Sequence, residues 1–182
     1  MTKIVAVFGS ARVKPNTDVY QQSYDVGQAL AEAGYVTMTG GYDGVMAAAS
    51  QGASDASGAV QGITVAELKY IGESRVNQWV TEEIRYETLH ERILHLVKTA
   101  DAHVVMPGGL GTAQELIEVW QGMRLGDYPV KPLILYGTFW DAMIDSMLQV
   151  GYISEHDMRL ITTVHDTKTL LDTLTDAFET KD

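Results

Sequence analysis

Residues Pro107-Gly108-Gly109-Leu110-Gly111-Thr112-Ala113-Gln114-Glu115 stand between an apolar run, His103 to Met106, and an amphipathic helical pattern that begins near Thr112. Three glycines let the backbone turn tightly and come close to a ligand. The N–H groups and positive dipole end of the helix that follows favour an anion, so the segment reads as a phosphate site. Thr112 adds a hydroxyl donor. Glu115, one helical turn on, shares a face with Thr112 and sets a carboxylate near the bound anion without aiming at it. A phosphate gains nothing from that neighbour. A sugar hydroxyl, or a group that becomes cationic during reaction, does.

The elements that must position this turn alternate short β-branched runs with longer helical ones. Ile4 to Phe8 is apolar throughout, as strands covered on both faces are, and stops at Gly9. A helix from Thr17 or Asp18 stops at Gly34. A strand Tyr35 to Thr39, the turn Gly40-Gly41-Tyr42-Asp43-Gly44, a helix Val45 to Asp55 and a strand Val60 to Val65 come next. From Glu67 to Val80 the pattern lapses and reads as a long functional loop or lid. A helix Tyr86 to Ala100, the strand His103 to Met106, the glycine-rich turn with its helix, a strand Pro132 to Tyr136 and a helix Phe139 to Val150 complete the alternation. Ser154 with Asp157 caps a short helix, and Asp166 caps a last one, Thr167 to Phe178. This order predicts one α/β domain over residues 1–182, a Rossmann-like doubly wound parallel sheet with helices on both faces.

In such sheets ligands sit beyond the carboxyl ends of the strands, where three turns gather: Gly9-Ser10-Ala11, Gly40 to Gly44, and Gly108 to Thr112. Neither of the first two is the dinucleotide fingerprint, which disfavours hydride transfer. Without cysteine there is no disulfide and no thiolate nucleophile or metal ligand. His90-Glu91 invites a zinc reading, but the next histidine, His95, is five residues on rather than four, and the other histidines, 103, 156 and 165, form no cluster. No metal and no cofactor is expected. Trp79, Trp120 and Trp140 read as packing anchors. Thirteen basic residues against 24 acidic give a formal net charge of -11, which opposes nucleic acid and anionic membranes. No stretch reaches the roughly 20 apolar residues of a membrane helix, and Ile4 to Phe8 is too short for a signal core, so the expected location is the cytoplasm.

The third turn, Pro107-Gly108-Gly109-x-Gly111-Thr112-x-x-Glu115, resembles the Pro-Gly-Gly-x-Gly-Thr-x-x-Glu motif of the LOG family, known for cytokinin riboside 5′-monophosphate phosphoribohydrolases and often mislabelled as lysine decarboxylases. The likeness extends over nearly the whole chain. Phe8-Gly9-Ser10 looks like the family's first turn, Gly40-Gly41-Tyr42-Asp43-Gly44-Val45-Met46 like its second, and Arg92 in His90-Glu91-Arg92 falls where the family carries its catalytic arginine. Ile93 stands where characterised hydrolases usually have lysine, and Gln114 where many have glutamate.

The resemblance implies hydrolysis of the bond between ribose and base in a purine nucleoside 5′-monophosphate, AMP or an N6-modified relative. Arg92 and Glu115 would be catalytic. Gly9, Ser10, Gly40, Gly41, Gly44, Met46, Pro107, Gly108, Gly109, Gly111 and Thr112 would line the nucleotide. Glu115 could stabilise the cationic sugar, hold a ribose hydroxyl or orient water. Arg92 could bind phosphate or ribose oxygens and keep Glu115 ionised. The family also implies a homodimer, to which Leu89, Ile93, Leu96 and Val97 could contribute. The alternative is a non-catalytic carrier of a nucleotide or nucleotide-like cofactor.

Overall fold

The computed structural model describes residues 2–66 and 75–179. Within them the strands β1 (Ile4–Phe8), β2 (Val36–Thr39), β3 (Val60–Val65), β4 (Glu82–Tyr86), β5 (Ala102–Val105), β6 (Leu133–Tyr136) and β7 (Thr162–Val164) form one sheet. Its order is β4-β3-β2-β1-β5-β6-β7, and every neighbouring pair is parallel. The order reverses between β1 and β5, which places the switch point, and the crevice it opens, at Gly9 and Pro107.

Alternate residues of each strand serve opposite faces. Val5 and Val7 pack with Val26 and Leu30 of α1 (Asp18–Glu32), Val45 and Ala49 of α2 (Val45–Asp55), and Leu170 and Leu174 of α7 (Thr167–Glu179). Ala6 and Phe8 face the other side, with Ile93 and Leu96 of α3 (Leu89–Thr99), Leu116 and Val119 of α4 (Leu110–Leu125), and Ile144 of α5 (Asp141–Gln149). The sheet therefore carries helices on both faces, the doubly wound arrangement its alternating sequence predicts. The short helix α6 (Glu155–Met158) is closed by the capping box that Ser154 and Asp157 form, and Asp166 accepts from the Thr169 amide at 2.7 Å at the start of α7.

Two strands depart from the expected pattern. β4 fills the stretch between the expected loop and the expected helix, where no element was expected, and takes in Tyr86, from which that helix was to start. Its residues Glu82, Glu83 and Arg85 are exposed along the sheet edge, so no apolar run announces it. β7 has three residues, too few for a period to show. Of the stretch read as a lid, residues 67–74 lie outside the described residues, while 75–80 lead into β4. Ile93, Leu96 and Val97, expected at a subunit contact, are 3%, 0% and 2% exposed. A helix laid on a sheet must spend its apolar stripe on that sheet, so these three belong to the core of the single chain and only Leu89 remains outside. Among the described residues no helix is long and apolar enough to cross a membrane.

Candidate active site

The three turns converge at the switch point. The Ser10 amide donates to the Pro107 carbonyl at 3.1 Å, joining the first turn to the third, and the Ser10 carbonyl accepts from the Val45 amide at 3.0 Å, joining the first to the start of α2. Gly9 leaves room for the Val45 side chain, and Gly44, at φ +68°, leaves room for the Ser10 carbonyl. The second turn is thus bound up internally, the more so because the Gly41 amide donates to Thr39 Oγ1 at 3.1 Å.

The third turn is different. Gly108 is required by packing, since a side chain there would run into Thr112. Gly109 and Gly111 are not: a Cβ at either meets nothing within 4 Å, and neither has a positive φ. The first amide of α4 with an acceptor in the chain is that of Ala113, bonded to the Gly109 carbonyl at 2.9 Å. The amides of Leu110, Gly111 and Thr112 have none among the described residues. Three donors without an acceptor among the described residues, at the positive end of a sixteen-residue helix and beside glycines that face open space, are an arrangement that can hold an anion.

Arg92 and Glu115 enter from the same face of the sheet. Arg92 shares the buried stripe of α3 with Ile93, Leu96 and Val97, and Glu115 shares that of α4 with Thr112, Leu116 and Val119. Burying those stripes carries the two charges inward together, so that Arg92 is 7% exposed. Its Nε donates to the Ile63 carbonyl at 2.6 Å and its Nη2 to the Gly40 carbonyl at 3.1 Å, with Met46 Sδ at 4.0 Å. Nη1 faces Glu115 Oε1 at 3.9 Å. The second turn, expected to border the nucleotide, contributes Gly40 and Met46 to a socket for this guanidinium.

Glu115 accepts no hydrogen bond among the described residues, and burial pushes its carboxyl up to about 7 although Arg92 pulls it down. Such a carboxylate, with a charged neighbour but no hydrogen-bond donor among the described residues, is matched by a ligand that supplies donors. Sequence reasoning missed the supports of this pair. The Ile63 carbonyl carries no side-chain signal. Tyr42, whose ring lies 5.5 Å from Arg92 Cζ, stood in view within the second turn. Asn77 ties that turn down, its amide donating to the Gly41 carbonyl at 2.8 Å and its Nδ2 to the Tyr42 carbonyl at 3.0 Å. Trp120 and Trp140 are buried anchors whose Nε1 groups donate to the carbonyls of Asp157 and Met106. His103, buried in β5, is driven down to about 4 by desolvation and stays neutral. Among the described residues no group of three or more His, Cys, Asp or Glu is placed to hold a metal ion.

Residues 46–174 match the family model described as "Possible lysine decarboxylase". A cytokinin riboside 5′-monophosphate phosphoribohydrolase of Arabidopsis thaliana is 33% identical over 74% of this chain and 64% of its own length. One of Mycobacterium tuberculosis is 28% identical over 92% of this chain and 90% of its own. Among solved structures, the molybdenum cofactor binding protein of Rippkaea orientalis superposes with a TM-score of 0.75 at 22% identity, covering 97% of each chain. The molybdenum cofactor carrier protein of Chlamydomonas reinhardtii gives 0.75 at 21% identity, over 98% of this chain and 99% of its own.

Proposed function

Because this chain belongs to the LOG family, we propose that it hydrolyses the N-glycosidic bond of a purine nucleoside 5′-monophosphate, AMP or an N6-modified relative, to free base and ribose 5-phosphate. The observation that carries this reading is the buried Glu115 carboxylate. It has no hydrogen-bond partner among the described residues, faces Arg92, and stands one helical turn from the free amides of Leu110, Gly111 and Thr112.

The 5′-phosphate rests on those amides and the Thr112 hydroxyl, over the open space beside Gly109 and Gly111. Binding energy from this non-reacting group positions the ribose against Glu115. As the bond from C1′ to the base nitrogen breaks, its electron pair leaves with the base and positive charge develops on the sugar, which the carboxylate stabilises. Water adds its oxygen to C1′, and one of its protons ends on the departing base. Arg92 keeps a share of Glu115 in the carboxylate form by its charge. With Nε and Nη2 already bonded to carbonyls, it has Nη1 to offer substrate oxygens. The likeness to molybdenum cofactor proteins, at 22% and 21% identity, is one of fold and favours no carrier role for these residues.

The protein works in this reading as a homodimer. Leu110, Ile117 and Leu125 are 91%, 41% and 61% exposed on the outer face of α4, which they share with Gln114, Gln121 and Arg124, with half-buried Glu118 at its margin. In a chain of net charge -11, an apolar strip whose neighbouring charges are tied within the chain, Arg124 to Asp157 and Glu118 to Tyr128, is where two copies meet with least repulsion. Incubating the pure protein with a panel of nucleoside 5′-monophosphates and separating the products tests the activity: released base with ribose 5-phosphate supports it, and intact nucleotide throughout rejects it.

A further inference from the structure

The guanidinium of Arg92 is held along one edge by two backbone carbonyls, of Ile63 and Gly40. That edge alone leaves the plane free to tilt about it. The face of the group is set by Tyr42, whose ring lies 5.5 Å from Arg92 Cζ, within the range of a cation over an aromatic face. The ring is itself fixed at both ends. Its hydroxyl accepts from the Val65 amide at 2.9 Å and donates to the Val65 carbonyl at 3.3 Å, while its own backbone carbonyl accepts from Asn77 Nδ2 at 3.0 Å. A phenol engaged as donor and acceptor by one backbone residue is not free to exchange a proton with a ligand. What Tyr42 offers the site is its face.

We propose that Tyr42 is a positioning residue for the Arg92 and Glu115 pair: pinned to the end of β3, its ring holds the guanidinium in the orientation that leaves Nη1 toward Glu115. This rests on the reading of that pair as the reacting centre. Because the effect passes through a charge, it is visible in the titration of Glu115, on which Arg92 is the charged group that acts among the described residues.

The test follows Glu115 by NMR in protein labelled with ¹³C at glutamate side-chain carboxyls, with Glu115→Gln to identify its signal. In Tyr42→Leu the guanidinium loses its support and drifts. A retreat from about 4 to about 6 Å at an effective dielectric near 20 raises the Glu115 pKa by about one unit. Tyr42→Phe keeps the ring and raises it less. Arg92→Gln raises it more, and adding Tyr42→Leu to Arg92→Gln changes nothing further, because the charge that Tyr42 positions is gone. Should Tyr42→Leu not fold, Tyr42→Met carries the same expectation. An unmoved Glu115 in folded Tyr42→Leu or Tyr42→Met overturns the proposal. So does a Tyr42→Phe shift equal to that of the aliphatic variant, or additivity in the double variant. A merely structural tyrosine lowers stability without moving this titration. Absence of base release from every nucleotide rejects hydrolysis and leaves the titration result standing, so the two readings fail separately.

Discussion

Arg92 fills the space that a side chain at Gly40 would need: its Nη2 donates to the Gly40 carbonyl at 3.1 Å, and a Cβ on Gly40 would overlap that same nitrogen. Gly40→Ala therefore drives the guanidinium from its socket. Overpacking of this kind costs about 1 to 3 kcal/mol. The expected outcome is a lower melting temperature together with loss of base release, measured by thermal denaturation and product chromatography on the same preparation. An active Gly40→Ala with unchanged melting would mean that Arg92 has other room to occupy.

Gly111 makes the opposite case, because a Cβ there meets nothing within 4 Å and its φ is not positive. Gly111→Ala sits inside the first turn of α4, where alanine favours the helix by up to about 1 kcal/mol, so the variant should melt no lower than the wild type. The methyl group enters the space assigned to phosphate. Affinity for ribose 5-phosphate, read by calorimetric titration, should fall about tenfold, which corresponds to about 1.4 kcal/mol. Unchanged affinity would place the phosphate elsewhere.

How much of this was legible in the sequence follows from what each residue must bury. The central strands show as apolar runs because both of their faces are covered, and Ile4–Phe8, Val45–Asp55 and Val60–Val65 fall where period places them. β4 does not show, since an edge strand keeps its charges in water. At the site, the glycine-rich turn is legible as a tight bend before a helix start, but periodicity cannot tell which glycines serve the chain itself, as Gly9, Gly40 and Gly44 do, and which face open space, as Gly109 and Gly111 do. Arg92 carried a usable signal. It lies in register with Ile93, Leu96 and Val97, and a charge inside an apolar stripe is buried with that stripe. The carbonyls that receive it come from β3 and the second turn, contacts between distant segments that no local pattern encodes.

Burial holds the Glu115 carboxyl up at about 7 against the pull of Arg92, above its ordinary value of 4.5. The native state therefore binds this proton more tightly than the unfolded chain does. Its contribution to stability is full below about 4.5, declines as pH rises, and is gone above about 7. The melting temperature of the wild type relative to Glu115→Gln should fall across that window and level off beyond it. If the carboxylate is the reacting form, kcat should rise through the same upper limit. A difference in melting that stays flat with pH would show that Glu115 is already charged when folded.

Self-association is expected through the outer face of α4. Light scattering at micromolar concentration should report a dimer, and Ile117→Glu or Leu125→Glu should shift it toward monomer, since each places a carboxylate against its symmetry copy. Neither side chain is buried in the single chain, so melting measured at low protein concentration should change little. A wild-type monomer at micromolar concentration would remove this contact.

Enzyme and carrier separate at Glu115 and Thr112. Glu115→Gln keeps the size of the side chain and removes the charge that stabilises an oxocarbenium ion, so turnover should fall far more than affinity. A charge-stabilising group aimed at a transition state is typically worth about 2.7 to 4 kcal/mol, roughly a hundred- to thousandfold in rate. Thr112→Val keeps the shape of the buried residue and removes a hydroxyl with no hydrogen-bond partner among the described residues. It should weaken binding of the 5′-monophosphate first, by about 1 kcal/mol, with kcat nearly preserved. AMP should accordingly be preferred over adenosine, and equal turnover of the two would remove the phosphate from the cradle. In a carrier, both substitutions alter affinity alone and no base is released. Base release from AMP that continues undiminished in Glu115→Gln would leave the activity in place and take the catalytic role from this residue.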